Sequence, residues 1–387
     1  MAILWRHSRT FRSILREEWH RRWNDFWESR FHNGPKALPL SLDLDLTRRC
    51  NLNCRMCDQG RQTAEPSAGL NWHDPNQELP LSVWTDLLDQ VASFRPRPRL
   101  YITGGEPTLY RDFPALIQEA KKRGFLVHLQ TNGTTLGRFA EFLVAQGVEM
   151  LSLSIDGPRE IHDRIRGQEG AFTRIAEGIA ALMVSRKRLG KPGPLLSINC
   201  VISKANLFCL EQMVPLSLDL GADALYLIHT TFNSEANVAR HNLLMSPTWA
   251  QAHGLDLIFP SISPGEYYQS EISPEDLPPL RKNLERVRRR ARGRLMLAFN
   301  PNPPLDKLDP YYLDLDYPFP QVCDGLWHNC RILADGTVSP CLHVVAGKIT
   351  EQPFQEIWHG PRMQNFRQVI ARGLLPGCAR CCKRRFR

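Results

Sequence analysis

Three cysteines near residue 50 have the types and spacing to do chemistry. They follow the pattern Cys50-x-x-x-Cys54-x-x-Cys57 on one short segment. Three thiolates can ligate three irons of a cubane iron–sulfur cluster and leave the fourth iron open to a second molecule. Structural zinc sites use four protein ligands and two-residue spacings, so the trio alone fits zinc poorly. The pattern therefore predicts a cluster with an open, reactive iron.

The sequence around this trio resembles a known family. The stretch from Asp45 to Cys57, DLTRRCNLNCRMC, resembles the signature of the radical S-adenosylmethionine (SAM) superfamily, with Met56 where an aromatic residue is common. The resemblance covers residues 40–230 in motif order and spacing. It implies that the three cysteines hold a 4Fe–4S cluster whose open iron SAM chelates. It also implies reductive cleavage of SAM to a 5′-deoxyadenosyl radical, which abstracts a substrate hydrogen.

A glycine-rich turn follows the second predicted strand. In the segment TGGEP at 103–107, the paired glycines allow close approach to the backbone, and the carboxylate can receive an ammonium group. The turn is similar to the superfamily's GGE motif, which binds the SAM amino group; the family also places a serine and an arginine near the SAM carboxylate and ribose. The residues assigned to SAM by this resemblance are Gly104, Gly105, Glu106, Ser154 and Arg166. A helix cap and a surface arginine are alternative roles for the last two.

Six cysteines between residues 323 and 382 form a third group. Their spacing, Cys-x(12)-Gly-x(4)-Cys followed by Cys-x-x-Cys, resembles the C-terminal SPASM and Twitch extensions of radical SAM enzymes. The resemblance implies a second, auxiliary 4Fe–4S cluster closed by four thiolates, which suits the single-cluster Twitch form. The ligands assigned in this way are Cys323, Cys341, Cys378 and Cys381.

Two alternatives remain open for the late cysteines. Cys330 and Cys382 compete for the ligand positions, although Cys330 lies too close to Gly336 to match the pattern as well as its rival does. The same cysteines, with His328 or His343, could instead form a structural zinc site, because a set of four cysteines does not distinguish the metals.

Alternating strands and helices between Leu40 and about His229 must position these residues. Repeated units of this length imply parallel strands in a barrel or an open α/β sheet. The family resemblance implies a partial (β/α)6 TIM-like barrel, in which functional residues gather at the carboxyl ends of the strands. The predicted strands are 40–46, 99–103, 125–130, 148–155, 195–202 and 223–229, and the predicted helices are 81–94, 112–123, 136–146, 171–189 and 207–220.

Four segments are predicted along the chain. They are an N-terminal amphipathic helical segment (1–38), the barrel (39–232), a Pro-rich connecting and substrate-covering region (233–322) and the cysteine-rich Twitch/SPASM-like domain (323–387). The N-terminal segment repeats aromatic and leucine residues every fourth position, with charges on its other faces. Docking against its own enzyme core is favoured; contact with a membrane surface or a partner through residues 1–36 is the alternative. Further helices are expected near 275–293 and 353–372, and a strand at 295–299.

The end of the sixth predicted strand offers candidates for substrate contact. Tyr226, His229 and Asn233 stand there, and His229 is the catalytic candidate because an imidazole can move a proton. A structural role is the alternative for this histidine. For Asn132 and Asn199, a structural role at a turn or strand end is favoured over a contact to SAM.

The composition of the chain sets outer limits on its function. A net charge of +9 permits an acidic partner without requiring one. The chain shows no apolar run of the roughly 18 residues that a transmembrane helix needs, and its N-terminus has no secretory signal pattern. With nine of the eleven cysteines in two clusters, these features predict a cytoplasmic protein.

Together these patterns predict an oxidoreductase or maturase that dehydrogenates or crosslinks a peptide or small molecule. Its cofactors would be SAM, the SAM-binding 4Fe–4S cluster and the auxiliary cluster, with flavodoxin or ferredoxin as electron donor. Two alternatives differ in class. One is a metal-stabilised, non-catalytic protein that binds nucleic acid; the other is the same enzyme acting at a membrane on a lipid-linked substrate.

Overall fold

The structure is a computed structural model. It describes residues 38–54, 56–57, 76–257, 270–323, 325–341, 344–383 and 385–386. The amphipathic helix expected in residues 3–36 and the alternative zinc ligand His343 lie outside the described residues.

The described residues contain strands and helices in an α/β order. The strands are β1 (Ser41–Asp45), β2 (Arg99–Thr103), β3 (Val127–Thr131), β4 (Met150–Ser154), β5 (Leu195–Ile202), β6 (Ala224–His229), β7 (Asp256–Leu257), β8 (Met296–Asn300), β9 (Gln321–Val322), β10 (Asn329–Ile332), β11 (Thr337–Ser339), β12 (Val344–Val345), β13 (Gly347–Lys348) and β14 (Arg385–Phe386). The α-helices are α1 (Leu81–Ala92), α2 (Phe113–Lys122), α3 (Leu136–Gln146), α4 (Arg159–Arg166), α5 (Ala171–Leu189), α6 (Met213–Asp219), α7 (Glu235–Leu244), α8 (Pro247–Ala252), α9 (Leu277–Ala291), α10 (Leu308–Leu313), α11 (Gly325–His328), α12 (Phe354–His359) and α13 (Pro361–Arg372).

Ten of these strands form one sheet, in the order β13-β11-β10-β1-β2-β3-β4-β5-β6-β8. Neighbours from β10 through β1–β6 to β8 pair in parallel, whereas β11 and β13 are antiparallel. The predicted α/β fold with a parallel central sheet is confirmed. The sheet also extends beyond the six predicted strands, because β8 pairs with β6 and β10 pairs with β1.

The two faces of the parallel strands differ in chemistry. Side chains alternate between the faces of a strand. Leucine, isoleucine and valine side chains on one face belong to the main hydrophobic core, which also contains helix residues such as Leu116 and Ile179. The opposite face, here called the polar face, carries Tyr101, Gln130 and Ser154, with Asn199 in register beside Ser154. Polar side chains that share one face of a sheet can bind a ligand together.

The last part of the chain packs a smaller core beside the sheet. Its buried members include Met245, Val344 and Phe366, with Cys378 at the margin. The helix expected over 353–372 is two helices, because Gly360 separates them and Pro361 takes the first position of α13, where proline is favoured. Among the described residues, none of the helices is long and apolar enough to cross a membrane.

Candidate cofactor site at the carboxyl ends of the strands

The segment that carries Cys50, Cys54 and Cys57 leaves β1 and runs against the glycine-rich turn after β2. The Leu46 amide donates to Thr103 O at 3.0 Å, and the Gly105 amide donates to Thr47 O at 2.8 Å. The Glu106 amide then donates to Arg49 O at 2.7 Å. These bonds continue the pairing of β1 with β2 past the ends of both strands, so they fix the start of the cysteine segment.

Gly104 and Gly105 are required by this close approach. Gly104 has φ +140°, and a Cβ there would stand 2.6 Å from Thr47 O. A Cβ on Gly105 would overlap Arg49 O and Arg48 O. The two glycines therefore act first on the backbone of the cysteine segment itself.

Glu106 is fully buried, and its carboxylate ties two loops together. Its Oε1 accepts hydrogen bonds from the hydroxyls of Thr108 and Thr131, both at 2.6 Å, and from the Thr108 amide at 3.2 Å. Its Oε2 accepts from the Asn132 amide at 2.8 Å. Burial raises the pKa of Glu106, and these donors oppose that rise. Most of the carboxylate is thus occupied within the protein.

Asn132 connects the end of β3 to the first cysteine. Its Nδ2 donates to Asn51 Oδ1 at 2.8 Å and lies 3.9 Å from the Cys50 sulfur. Its Oδ1 accepts from the amide and hydroxyl of Thr134 at 2.9 and 2.7 Å. This asparagine has the structural role that the sequence favoured, and it also contacts the candidate ligand directly.

Arg166 connects the second cysteine to the end of β4. Its Nε donates to Asp156 Oδ2 at 2.6 Å, and one terminal nitrogen lies 3.6 Å from the Cys54 sulfur. The Asp156 side chain is fully buried and that of Arg166 is 11% exposed. The alternative of a surface arginine is therefore wrong. Gly167, at φ +68°, brings the end of α4 against Asn53 O.

The thiols of Cys50 and Cys54 lie in a setting that favours their protonated forms without a metal. Burial raises the pKa of Cys50 to about 11, and the charges of Glu106, Cys54 and Cys57 add to the rise. Burial also raises the pKa of Cys54, whereas Arg166 lowers it. Metal binding requires thiolates and releases these protons. Clustered thiols beside a cation form a donor set that suits an iron–sulfur cluster.

Ser154 belongs to a hydrogen-bond network on the polar face. Its hydroxyl accepts from Gln130 Nε2 at 3.0 Å. Gln130 Oε1 in turn accepts from the Tyr101 hydroxyl at 2.9 Å and from Asn199 Nδ2 at 2.7 Å. The network joins β2, β3, β4 and β5 across the polar face.

Three of the four candidate auxiliary ligands lie in or beside the smaller core. Cys378 belongs to the smaller core, against which Cys323 and Cys341 pack. Cys341 is close enough to Cys381 for its charge to raise the pKa of that thiol, although a hydrogen bond with Cys382 and burial raise it more. No three His, Cys, Asp or Glu side chains within the described part of the chain are arranged around a single metal ion.

The two rival cysteines lie elsewhere. Cys330 is fully buried on β10 within the main core, in register with Leu42 of β1. Cys382 lies beside Thr231 and Lys383, and the Lys383 ammonium donates to Asp43 on β1 at 2.9 Å. Cys330 is thus separated from the smaller core, whereas Cys382 is adjacent to Cys381.

Arg380 fixes the loop that carries Cys378 and Cys381. This residue is 2% exposed. Its guanidinium donates to the carbonyls of Tyr311, Pro310 and Asp314 at 2.5, 3.0 and 2.6 Å. It also lies 5.0–6.0 Å from the ring centres of Tyr311, Phe319 and Phe232, a distance suited to cation–π attraction. No sequence pattern indicates this anchor beyond its place inside the Cys-x-x-Cys motif.

His229 is buried at the carboxyl end of β6. Its Nδ1 lies 2.6 Å from the Tyr312 hydroxyl, and its ring packs edge-on against Tyr311. Asn233 accepts from Asn237 at 2.5 Å and so belongs to the packing of α7. Burial, and to a smaller extent Arg288, lowers the pKa of His229 to about 3. These contacts describe a structural histidine.

The pKa of His229 leads to a prediction on acid stability. Its folded pKa of about 3 lies below the unfolded value near 6.5, so stability is lost as pH falls from about 6.5 toward 3. We expect His229→Gln to reduce the slope of unfolding free energy against pH there by up to about 1.4 kcal/mol per pH unit. Urea denaturation at several pH values measures this slope. An unchanged slope would contradict the buried, neutral state of this histidine.

Comparison with protein-family models finds two matches. The radical SAM superfamily model matches residues 44–188, and a model of an iron–sulfur cluster-binding domain, SPASM, matches residues 323–382. These ranges contain the early trio and the late cysteines respectively. The cofactors are therefore SAM, a 4Fe–4S cluster that binds it, and auxiliary iron–sulfur ligation in the C-terminal domain.

Individual proteins are similar over most of the chain. The AdoMet-dependent heme synthase of Methanosarcina barkeri is 31% identical over 333 residues, which are 83% of this chain and 82% of that protein. The PqqA peptide cyclase of Ruegeria pomeroyi is 28% identical, over 89% of this chain and 80% of its own length.

Solved structures share the fold. The enzyme anSMEcpe with bound AdoMet and a Cp18Cys peptide has a TM-score of 0.58 at 19% identity, covering 89% of this chain and 88% of that one. SuiB of Streptococcus suis bound to its precursor peptide SuiA has a TM-score of 0.56 at 16% identity, covering 89% and 71%. The chain therefore belongs to the radical SAM superfamily and carries a C-terminal SPASM domain.

Proposed function

We propose that this protein is a radical SAM enzyme that oxidatively modifies its substrate by hydrogen abstraction. The observation that carries the proposal is a pair of contacts with the cysteine segment. Asn132, after β3, lies beside the Cys50 sulfur, and Arg166, which pairs with Asp156 after β4, lies beside the Cys54 sulfur. Residues that follow two different strands thus contact the thiols of Cys50 and Cys54. The relatives that support the proposal are themselves named as synthases and cyclases.

The residues of the chain have separate roles in this proposal. Cys50, Cys54 and Cys57 hold the cluster, which together with SAM supplies a hydrogen-abstracting 5′-deoxyadenosyl radical. Gly104 and Gly105 keep the cysteine segment against β2, and the polar face beside Ser154 receives the sugar and carboxylate of SAM. Among the hydrogen-bond donors of this site, Arg166 offers a cation to the ligand thiolates.

The auxiliary site is assigned to Cys323, Cys341, Cys378 and Cys381. The location of Cys323, Cys341 and Cys378 in and beside the smaller core supports this choice over Cys330. Cys382, the neighbour of Cys381, remains an alternative fourth ligand. An auxiliary cluster suits an oxidative outcome, because an electron must leave the substrate after hydrogen abstraction. Flavodoxin or ferredoxin is proposed as the donor for the first cluster, in a reducing, cytoplasmic compartment.

A peptide is the proposed substrate. Relatives and structural neighbours named for peptide cyclisation or solved with bound peptides support it. A tetrapyrrole is the second candidate, because the AdoMet-dependent heme synthase is 31% identical. Mass spectrometry separates them: a two-hydrogen loss in a peptide supports the first, and conversion of an iron porphyrin supports the second.

The first experiment is anaerobic reconstitution with iron and sulfide, followed by addition of dithionite and SAM. We expect slow formation of 5′-deoxyadenosine without any substrate, because SAM cleavage precedes substrate chemistry in this proposal. Chromatography of the quenched reaction measures it. Protein that holds iron–sulfur clusters and binds SAM, yet forms no 5′-deoxyadenosine, would contradict the proposed function and favour a non-catalytic role.

A further inference from the structure

Strand β8 forms one end of the ten-stranded sheet. It pairs in parallel with β6 on one side, and no strand of the described residues pairs with its other side. Met296 is 38% exposed, and Leu297, Ala298 and Phe299 are half-buried. An edge with unpaired backbone groups and partly apolar side chains is a template for another extended segment.

The pairing with β6 defines which backbone groups face outward. The Met296 amide donates to Asp223 O at 3.2 Å, so it points toward β6. Backbone groups alternate in direction along a strand. The amides and carbonyls of Leu297 and Phe299 therefore point to the open edge. An added strand would meet these two residues first.

A cavity of about 380 Å³ lies between this edge and helix α9. Leu295, Leu297 and Phe299 supply its apolar wall, and Arg288 and Arg292 lie on its helix side. The two arginines are four positions apart, so they share one helix face. The cavity combines an apolar floor with two cations.

The cations of this cavity are available to a ligand. Both arginines are exposed, and among the described residues neither takes part in an ion pair. Arg288 lies 4.9 Å from the ring centre of Phe299 and donates to Asn302 Oδ1 at 3.2 Å. In contrast, Arg286 on the same helix is paired with Glu211 at 3.0 Å. Within the part of the chain that the structure describes, the edge of β8 thus carries two arginines that form no ion pair.

We infer that the open edge of β8 docks an acidic peptide segment in extended conformation. The segment adds a strand to the sheet through the outward backbone groups of Leu297 and Phe299. Its alternate side chains enter the cavity, where carboxylates meet Arg288 and Arg292 and apolar groups contact Leu295. Strand addition of this kind obtains affinity from the backbone and specificity from alternate side chains. The surface lies apart from the cysteine trio, so it goes beyond the proposed reaction.

The test measures fluorescence anisotropy of the full-length protein with a labelled probe peptide that alternates threonine with glutamate and valine. We expect saturable binding, weakened at least about tenfold by the double substitution Arg288→Glu/Arg292→Glu. The control is Arg289→Glu, which reverses one charge on the same helix outside the cavity lining, against two charges in the double variant. We expect it to change affinity less than about twofold.

Two further probes separate strand addition from simple charge attraction. A peptide N-methylated at alternate residues keeps its carboxylates but cannot pair with an edge, and we expect it to bind at least about tenfold more weakly. A peptide with lysine in place of glutamate should bind no more tightly than the N-methylated peptide. Neither result depends on a protein variant that must fold.

Three outcomes would overturn the inference. They are absence of saturable binding, equal binding of the N-methylated probe, and equal effects of the control and double substitutions. Tighter binding of an oligouridylate by the same two arginines would identify an RNA surface instead. The anisotropy measurement needs neither cluster nor SAM. Peptide binding can therefore be absent while 5′-deoxyadenosine forms, and it can be present while no 5′-deoxyadenosine forms.

Discussion

Replacing Cys50, Cys54 and Cys57 together by alanine is expected to reduce 5′-deoxyadenosine formation below detection. The reason is that no thiolate remains to hold the cluster that binds SAM. Iron content should fall from about eight to about four atoms per chain, because each cubane holds four irons. Iron and sulfide assays on the reconstituted protein measure the second effect. The auxiliary site should keep its iron.

The matched control is Cys330→Ala, which removes a buried thiol that lies outside the smaller core. We expect this variant to retain both the full iron content and SAM cleavage, with some loss of stability from the deleted atom. Loss of about four irons in the control would contradict the assignment of Cys323 to the auxiliary site. Undiminished SAM cleavage in the triple variant would contradict the main proposal.

Arg166→Leu is expected to lower the free energy of unfolding by about 3–5 kcal/mol, because it leaves the fully buried Asp156 without its cation. Urea denaturation of the iron-free protein, followed by circular dichroism, measures the change. Arg166→Lys should recover part of the loss, since it keeps a positive charge near the carboxylate.

The control for this change is Arg188→Leu, which breaks an ion pair with Glu141. Its two side chains are 56% and 60% exposed, and such pairs contribute about 1 kcal/mol or less. Similar losses for the two variants would mean that the Asp156–Arg166 pair contributes no more than an exposed one. A second readout is specific to the site: Arg166→Leu should slow SAM cleavage even where the protein remains folded.

The sequence predicted the central elements well where local patterns were strong. The strands at 99–103 and 195–202 and the helices at 136–146 and 171–189 have the predicted bounds. The reason is that their apolar periodicity coincides with clear ends, such as Gly147 and Gly190, which adopt positive φ after their helices. The superfamily assignment and its cofactors were also predictable, because they rest on contiguous motifs.

Features that depend on distant parts of the chain were not predictable. Nothing in the sequence near Asn329 indicates that β10 pairs with β1. The sequence of β8 likewise does not indicate that this strand pairs with β6. The carboxylate of Glu106 illustrates the same limit at the site. Its motif predicts a contact to SAM, whereas the structure shows four hydrogen bonds to loops after β2 and β3. The role of each predicted ligand stays a prediction until iron is measured.

The pairing of β1 with β10 has a consequence for synthesis of the protein. Ser41 and Asn329 are register partners separated by roughly 290 residues, which a ribosome adds in about 15–60 s at 5–20 residues per second. During that interval the nascent chain contains the first three cysteines, whereas Cys323 is added only just before Asn329 and the other three assigned late cysteines follow it. Iron delivered to the growing chain therefore reaches the early trio first. Strand β1, which precedes the trio, pairs with β10 only after β10 has been synthesised. The two clusters can thus assemble at different times, and each is exposed to oxygen damage during a different period of synthesis.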